Sequence, residues 1–192
     1  MTKLLTTLYV CAGIAIAGSA GAATMSKDAY DAEMKRISSD YKAAKEQCAP
    51  LSGNAKDICV EQAKGKEKVA KADAVASYKG TEKARYDARV ARAEADYAVA
   101  KEKCDDSSGN AKDVCVKEAK AGQVKAKADA KVAHVANDTS REAMAKRNDA
   151  RKDATEDKRD ADYKVAVEKC DSLSGDPKDQ CVKNAKIRYG KS

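Results

Sequence analysis

Three short stretches of this chain carry the same spacing of apolar positions. Tyr41, Ala44 and Cys48 stand at i, i+3 and i+7, which is one face of a helix. Tyr97, Ala100 and Cys104 repeat that pattern, and so do Tyr163, Ala166 and Cys170. A second pattern follows each of them. Cys59 and Ala63, Cys115 and Ala119, and Cys181 and Ala185 are spaced i, i+4, again a single helix face. Between the two patterns lie "CAPLSGNAKDIC", "CDDSSGNAKDVC" and "CDSLSGDPKDQC", each with ten residues between its cysteines. The unit reads Asp-Tyr, helix, cysteine, turn, Cys-Val, helix, Ala-Lys. A unit written three times is one supersecondary element used three times.

The turn chemistry predicts a helical hairpin. Gly53, Gly109 and Gly175 permit a tight reversal. Asn54 and Asn110 are expected as N-caps, with Asp57 and Asp113 three residues on in a near capping box. In the third copy Asp176 takes the cap and Pro177 the first helical position, where proline is favoured. With the helices antiparallel, cysteine faces cysteine, and each Tyr ring lies near Ala63, Ala119 or Ala185. The expected disulfides are therefore local: Cys48 with Cys59, Cys104 with Cys115 and Cys170 with Cys181. Each closes a loop worth roughly 3 kcal/mol in the loop-entropy model. Six cysteines allow fifteen pairings, and pairing between hairpins stays open at this level.

The segments joining the hairpins are nearly all helix formers. From Ala55 to Cys104 a continuous helix would run about 75 Å. Gly80 suits a helix end and Thr81 a new cap, and Thr139 with Glu142 matches a capping box. The expectation is nonetheless of long helices, kinked at Gly80 and near Asn137–Thr139. Breaks at both points would instead give six helices. The fold class expected is all-α: elongated antiparallel helical hairpins, coiled-coil-like, with three disulfide-clasped turns.

Composition explains why clasps are needed. Trp and Phe are absent, and 36% of the residues are charged, against the usual quarter. Apolar character comes mainly from alanine, so no thick core is expected. Residues 1–23 read as a secretory signal peptide, with Lys3, an apolar run from Leu4 to Ala17, and cleavage after Ala22 or Ala23. Val10 is bulkier than the residue that precedes a lipidated cysteine, so Cys11 is not expected to carry lipid. The mature chain then spans 24–192, with repeats at about 40–64, 96–120 and 162–186. Its net charge is +6, one less than the +7 of the whole chain, because Lys3 is removed. Six cysteines remain, an even number that suits an oxidising compartment. The expected location is the periplasm, with no transmembrane anchor after cleavage.

No catalytic constellation stands out, and the chain is expected not to be an enzyme. His134 is the one histidine, far from each cysteine pair, and is expected at the surface or an edge. Ten-residue gaps do not suit zinc, whose cysteines stand two to four apart. Neither a metal nor a cofactor is expected. Lysines and arginines are interleaved with acids rather than gathered in a patch, and aromatic stacking residues for single strands are missing. Nucleic acid is not an expected partner. Weak binding to anionic envelope polymers and a holdase role in stress are the alternatives to a structural or protein-interaction role. Protein partners in the envelope are expected, and alanine-rich faces also suit self-association.

The repeated "LSGNAKDxCVxxAK" pattern after a signal peptide resembles small exported proteobacterial proteins that carry a cell-envelope or TolA-like label. The resemblance covers nearly the whole mature chain. It implies an envelope role without a catalytic site. The TolA likeness itself lies in Ala/Lys-rich helix such as "KVAKADAVA" and "VKAKADAKVA". Unlike TolA, the chain is expected to keep no membrane anchor and no C-terminal globular domain. Twin C-x9-C hairpin proteins and the periplasmic chaperone Skp are similar in part, through stapled helices in one case and long basic helices in the other.

Overall fold

Each of the three repeats folds as a pair of helices closed at one end. A computed structural model describes residues 24–136 and 141–192. It contains α1 (Lys27–Gln47), α2 (Gly53–Lys79), α3 (Glu82–Lys103), α4 (Gly109–Val135), α5 (Arg141–Cys170) and α6 (Asp176–Tyr189). A short 3-10 turn, Cys104–Asp106, links α3 to α4. No strand occurs among the described residues. Side-chain pairs show each neighbour running antiparallel to the last. Tyr30 at the start of α1 stacks on Tyr78 at the end of α2, with centroids 4.7 Å apart. Asp73 of α2 meets Arg92 of α3 at 2.9 Å, and Lys131 of α4 meets Asp153 of α5 at 2.8 Å. The main packing runs between sequence neighbours, so the helices form an open serpentine array.

The three cysteine pairs are disulfides: Cys48–Cys59, Cys104–Cys115 and Cys170–Cys181, with Cα separations of 5.7, 5.6 and 5.8 Å. These distances lie within the ordinary range for a cystine. Because the helices alternate in direction, all three clasps sit at one end of the array. Asn54 of the first clasp donates from Nδ2 to Asp106 Oδ1 of the second at 2.7 Å.

The start of each returning helix departs from the expected caps. α2 and α4 begin at Gly53 and Gly109, and Ser52 and Ser108 hold the cap positions without a side-chain cap bond. In the third copy Gly175 is the cap, and Asp176 and Pro177 are the first two helical residues. The physical reason lies in the glycines. With φ of 55°, 54° and 60° they turn the chain in the left-handed region, so the helix opens earlier than the side chains suggested. Asn54 is then free of the cap and reaches the neighbouring clasp.

The long helix expected from Ala55 to Cys104 is broken, not kinked. Gly80 takes φ 62°, and its amide donates to the Ala76 carbonyl at 2.9 Å, closing α2. Thr81 Oγ1 accepts from the Ala84 amide at 3.2 Å and opens α3. The two halves fold back on one another. The second expected interruption, Asn137–Thr139 with its Thr139–Glu142 capping box, lies outside the described residues. The helices on either side of it are antiparallel.

Alanine forms most of the core. Ala84, Ala88, Ala91 and Ala95 bury one stripe of α3, and Ala143, Ala150, Ala154 and Ala161 one stripe of α5. Both stripes follow heptad-type spacing, as in coiled coils. Ile37 is the one buried large aliphatic among the described residues, while Cys48, Cys104 and Cys170 are the most deeply buried side chains. Small residues bring the helices close. A Cβ built on Gly65 would stand 3.2 Å from the Ala95 Cβ, whereas one on Gly122 would meet open space. Tyr41 lines a cleft with Ala63, Tyr97 lies 5.1 Å from Lys120 Nζ, and Tyr163 meets Tyr189 edge-on at 6.3 Å.

Two predictions follow from this packing. Replacing Cys104 and Cys115 together by alanine should lower unfolding free energy by about 3 kcal/mol. Urea unfolding followed by circular dichroism measures the change. Gly65→Leu should destabilise by about 1–3 kcal/mol through overpacking against Ala95. Gly122→Ala should instead stabilise by up to about 1 kcal/mol, since it gains only helix propensity. Equal and small effects at the two glycines would contradict the close approach of α2 and α3.

Candidate interaction surface

The polar face of the array is knitted by ion pairs that cross between helices. Glu94 on α3 accepts from Lys68 of α2 at 2.5 Å and from Lys127 of α4 at 2.7 Å, so one carboxylate ties three helices. Those lysines, Lys127 first, hold its pKa down to about 2 from the ordinary 4.5. Between α4 and α5, Lys125 meets Asp162 at 2.5 Å, Lys169 meets Glu118 at 2.6 Å, and Lys117 meets Glu168 at 3.4 Å. Other pairs stay on one helix, as with Lys71 and Glu67 or Lys83 and Asp87. Exposed pairs of that kind contribute a few tenths of a kcal/mol.

Between these ties run grooves with apolar floors. The larger encloses about 720 Å³ between α2 and α3. Val69, Ala95 and Val99 line its floor, and charges of both signs stand at its rim: Lys66 and Lys103, Asp96, and Arg92 paired with Asp73. A second groove of about 520 Å³ lies along α4 and α5, lined by Ala121, Val165 and Ala166, with Arg188 and Tyr189 of α6 at its side. Its α4 and α5 walls repeat the α2 and α3 walls of the first. Val99 and Val165 each stand five residues before the first cysteine of the clasp that follows. That offset was present in the sequence, but one helix face gives no sign that it will meet the helix of a different hairpin. Leu51 and Leu173 stand 41% and 44% exposed in the first and third clasps.

The residues weighed as reactive sit apart. All six described cysteines are in disulfides and are held in the clasps. His134 lies at the end of α4, half-buried, with its ring 5.0 Å from that of Tyr86. Its Nδ1 is buried without a hydrogen-bond partner. Among the described residues no three of the metal-binding side-chain types come together, and no helix is long and apolar enough to cross a membrane. No protein-family model, curated protein or solved structure matches the chain.

Glu94 provides a test of the cross-helix ties. Its folded-state pKa lies below its unfolded value, so its stabilisation is present above pH 4.5 and is lost as pH falls towards about 2. The side chain is 35% exposed, and screening by water limits the effect to about 1 kcal/mol. Glu94→Gln should therefore lower stability near neutral pH by about that much and flatten the acid limb of the stability profile. Thermal unfolding between pH 2 and 7 measures both. An unchanged acid limb would remove Glu94 from the account.

Proposed function

We propose that this chain is a non-enzymatic interaction element of the bacterial envelope, working in the periplasm after export. Three disulfides suit an oxidising environment outside the cytosol. The observation that carries the reading is the repeated groove between hairpins. An apolar floor of Val69, Ala95 and Val99 under a rim of mixed charge is suited to a helical or extended protein segment with an apolar face and flanks of both signs. The clasps support this by tying each groove wall to the other helix of its own hairpin, while ion pairs such as Lys68–Glu94 join wall to wall. The signal-peptide reading of residues 1–23 and the TolA-like resemblance point to the same compartment.

The experiment is a pull-down from periplasmic extract with the disulfides intact. One or a few proteins should be enriched. The double variant Val69→Glu, Val99→Glu should lose them while keeping its helical circular dichroism. Enrichment unchanged by the variant would move the interaction away from this groove.

A holdase role is the second reading, favoured by the same grooves together with the exposed Leu51 and Leu173. It predicts suppressed aggregation of an unfolded outer-membrane protein at equimolar ratio. Absence of any effect at several-fold excess would count against it.

A further inference from the structure

Among the described residues α1 packs mainly on α2 and α6 mainly on α5, and the repeat shows what fits their outer faces. Within the chain, the helix leaving a clasp receives the first helix of the next hairpin: α2 receives α3, and α4 receives α5. α6 is the third helix of the receiving kind, and α1 belongs to the kind received. The residue six positions after the second cysteine marks the receiving face. It is Gly65 in α2, closed against Ala95, and Ala121 in α4, which is 5% exposed. In α6 it is Ile187, which stands 71% exposed. The received face is marked nine positions before the first cysteine. Ala95 and Ala161 are buried there in α3 and α5, and Ser39 is exposed in α1.

We propose that α6 of one copy docks on α1 of a second copy, in the register in which α4 receives α5. The partner is a second copy of this chain, argued from continuity with that internal junction and from charge. Lys117 and Glu168 pair at 3.4 Å across the α4–α5 junction. The residues at the same offsets from the cysteines are Lys183 on α6 and Glu46 on α1, both exposed. The contact between Glu118 and Lys169 becomes Asn184 against Gln47, a hydrogen-bonding amide pair. Ile187 then lies over Ser39, a large side chain on a small one, where the α2–α3 junction puts Ala95 on Gly65.

The two surfaces differ, so the contact is head-to-tail and extends an open array rather than closing a dimer. α6 has 14 residues against 27 in α4, so this junction is shorter than the internal one. Association is accordingly weak and concentration-dependent. The inference gives the interaction role a partner and rests on that role. Because its test uses purified protein alone, its failure would leave the pull-down result standing.

Sedimentation equilibrium of the oxidised protein, from micromolar to millimolar, tests it. The weight-average mass should rise continuously past twice the monomer. Ile187→Glu should hold the protein monomeric with unchanged circular dichroism, since the side chain is exposed in the single chain. Lys183→Glu and Glu46→Lys should each weaken association several-fold, and the two together should restore it. A monomer throughout the range, a plateau at twice the monomer mass, or association indifferent to Ile187→Glu and to the charge exchange would each overturn the proposal.

Discussion

The three buried disulfides are the constraint on which the rest of this molecule depends. An alanine methyl removes little surface from water, on the order of 0.8 kcal/mol per buried carbon, and the core is built almost wholly of such groups. Helices joined only by alanine faces would separate readily. Each cystine restricts the unfolded chain at the point where two helices meet, and Cys48, Cys104 and Cys170 are also the most deeply buried side chains. Clasp and core are thus one device. The clasp fixes the mouth of the hairpin, and the alanine stripe closes the length of it.

Among the described residues no disulfide joins one hairpin to the next, and charge takes over part of the task. Glu94 reaches Lys68 and Lys127 on the two flanking helices, and Lys125 with Asp162 performs the equivalent tie further along. Such pairs contribute modestly to stability, since they remain in contact with water. Their larger effect is on register. Alanine faces slide past one another at little cost, and opposed charges at fixed offsets penalise the wrong alignment. The pairs also leave the grooves open along the floor, because long lysine and arginine side chains bridge at the rim.

This division of labour bears on function. A protein that places its fixed points at one end, and its grooves along the sides, presents repeated surfaces in a constant geometry. The proposed envelope role uses the grooves, and the proposed head-to-tail contact uses the outer faces of α1 and α6. Both draw on the same property of the repeat: a face that has a partner in one copy of the unit stands exposed in another.

Much of this was legible in the residues. The i, i+3, i+7 pattern at Tyr41, Ala44 and Cys48, and its two repeats, determined helix, hairpin and the side on which each cysteine lies, because these depend on neighbours within a few residues. The caps were placed late, since the left-handed glycines Gly53, Gly109 and Gly175 open the helix ahead of the polar side chains. The break at Gly80 was visible as a signal but not as an outcome. A glycine within so strong a run of helix formers can kink or end a helix, and the choice falls to the packing beyond it. Here Gly65 admits Ala95, and the alanine stripe of α3 lies down on α2. Which hairpin face meets which, that Glu94 serves three helices, and that Ile187 is left exposed were decided only in the tertiary structure. Alanine stripes are too alike to name their partners, and that choice rests on close approach and on charges far apart in the chain.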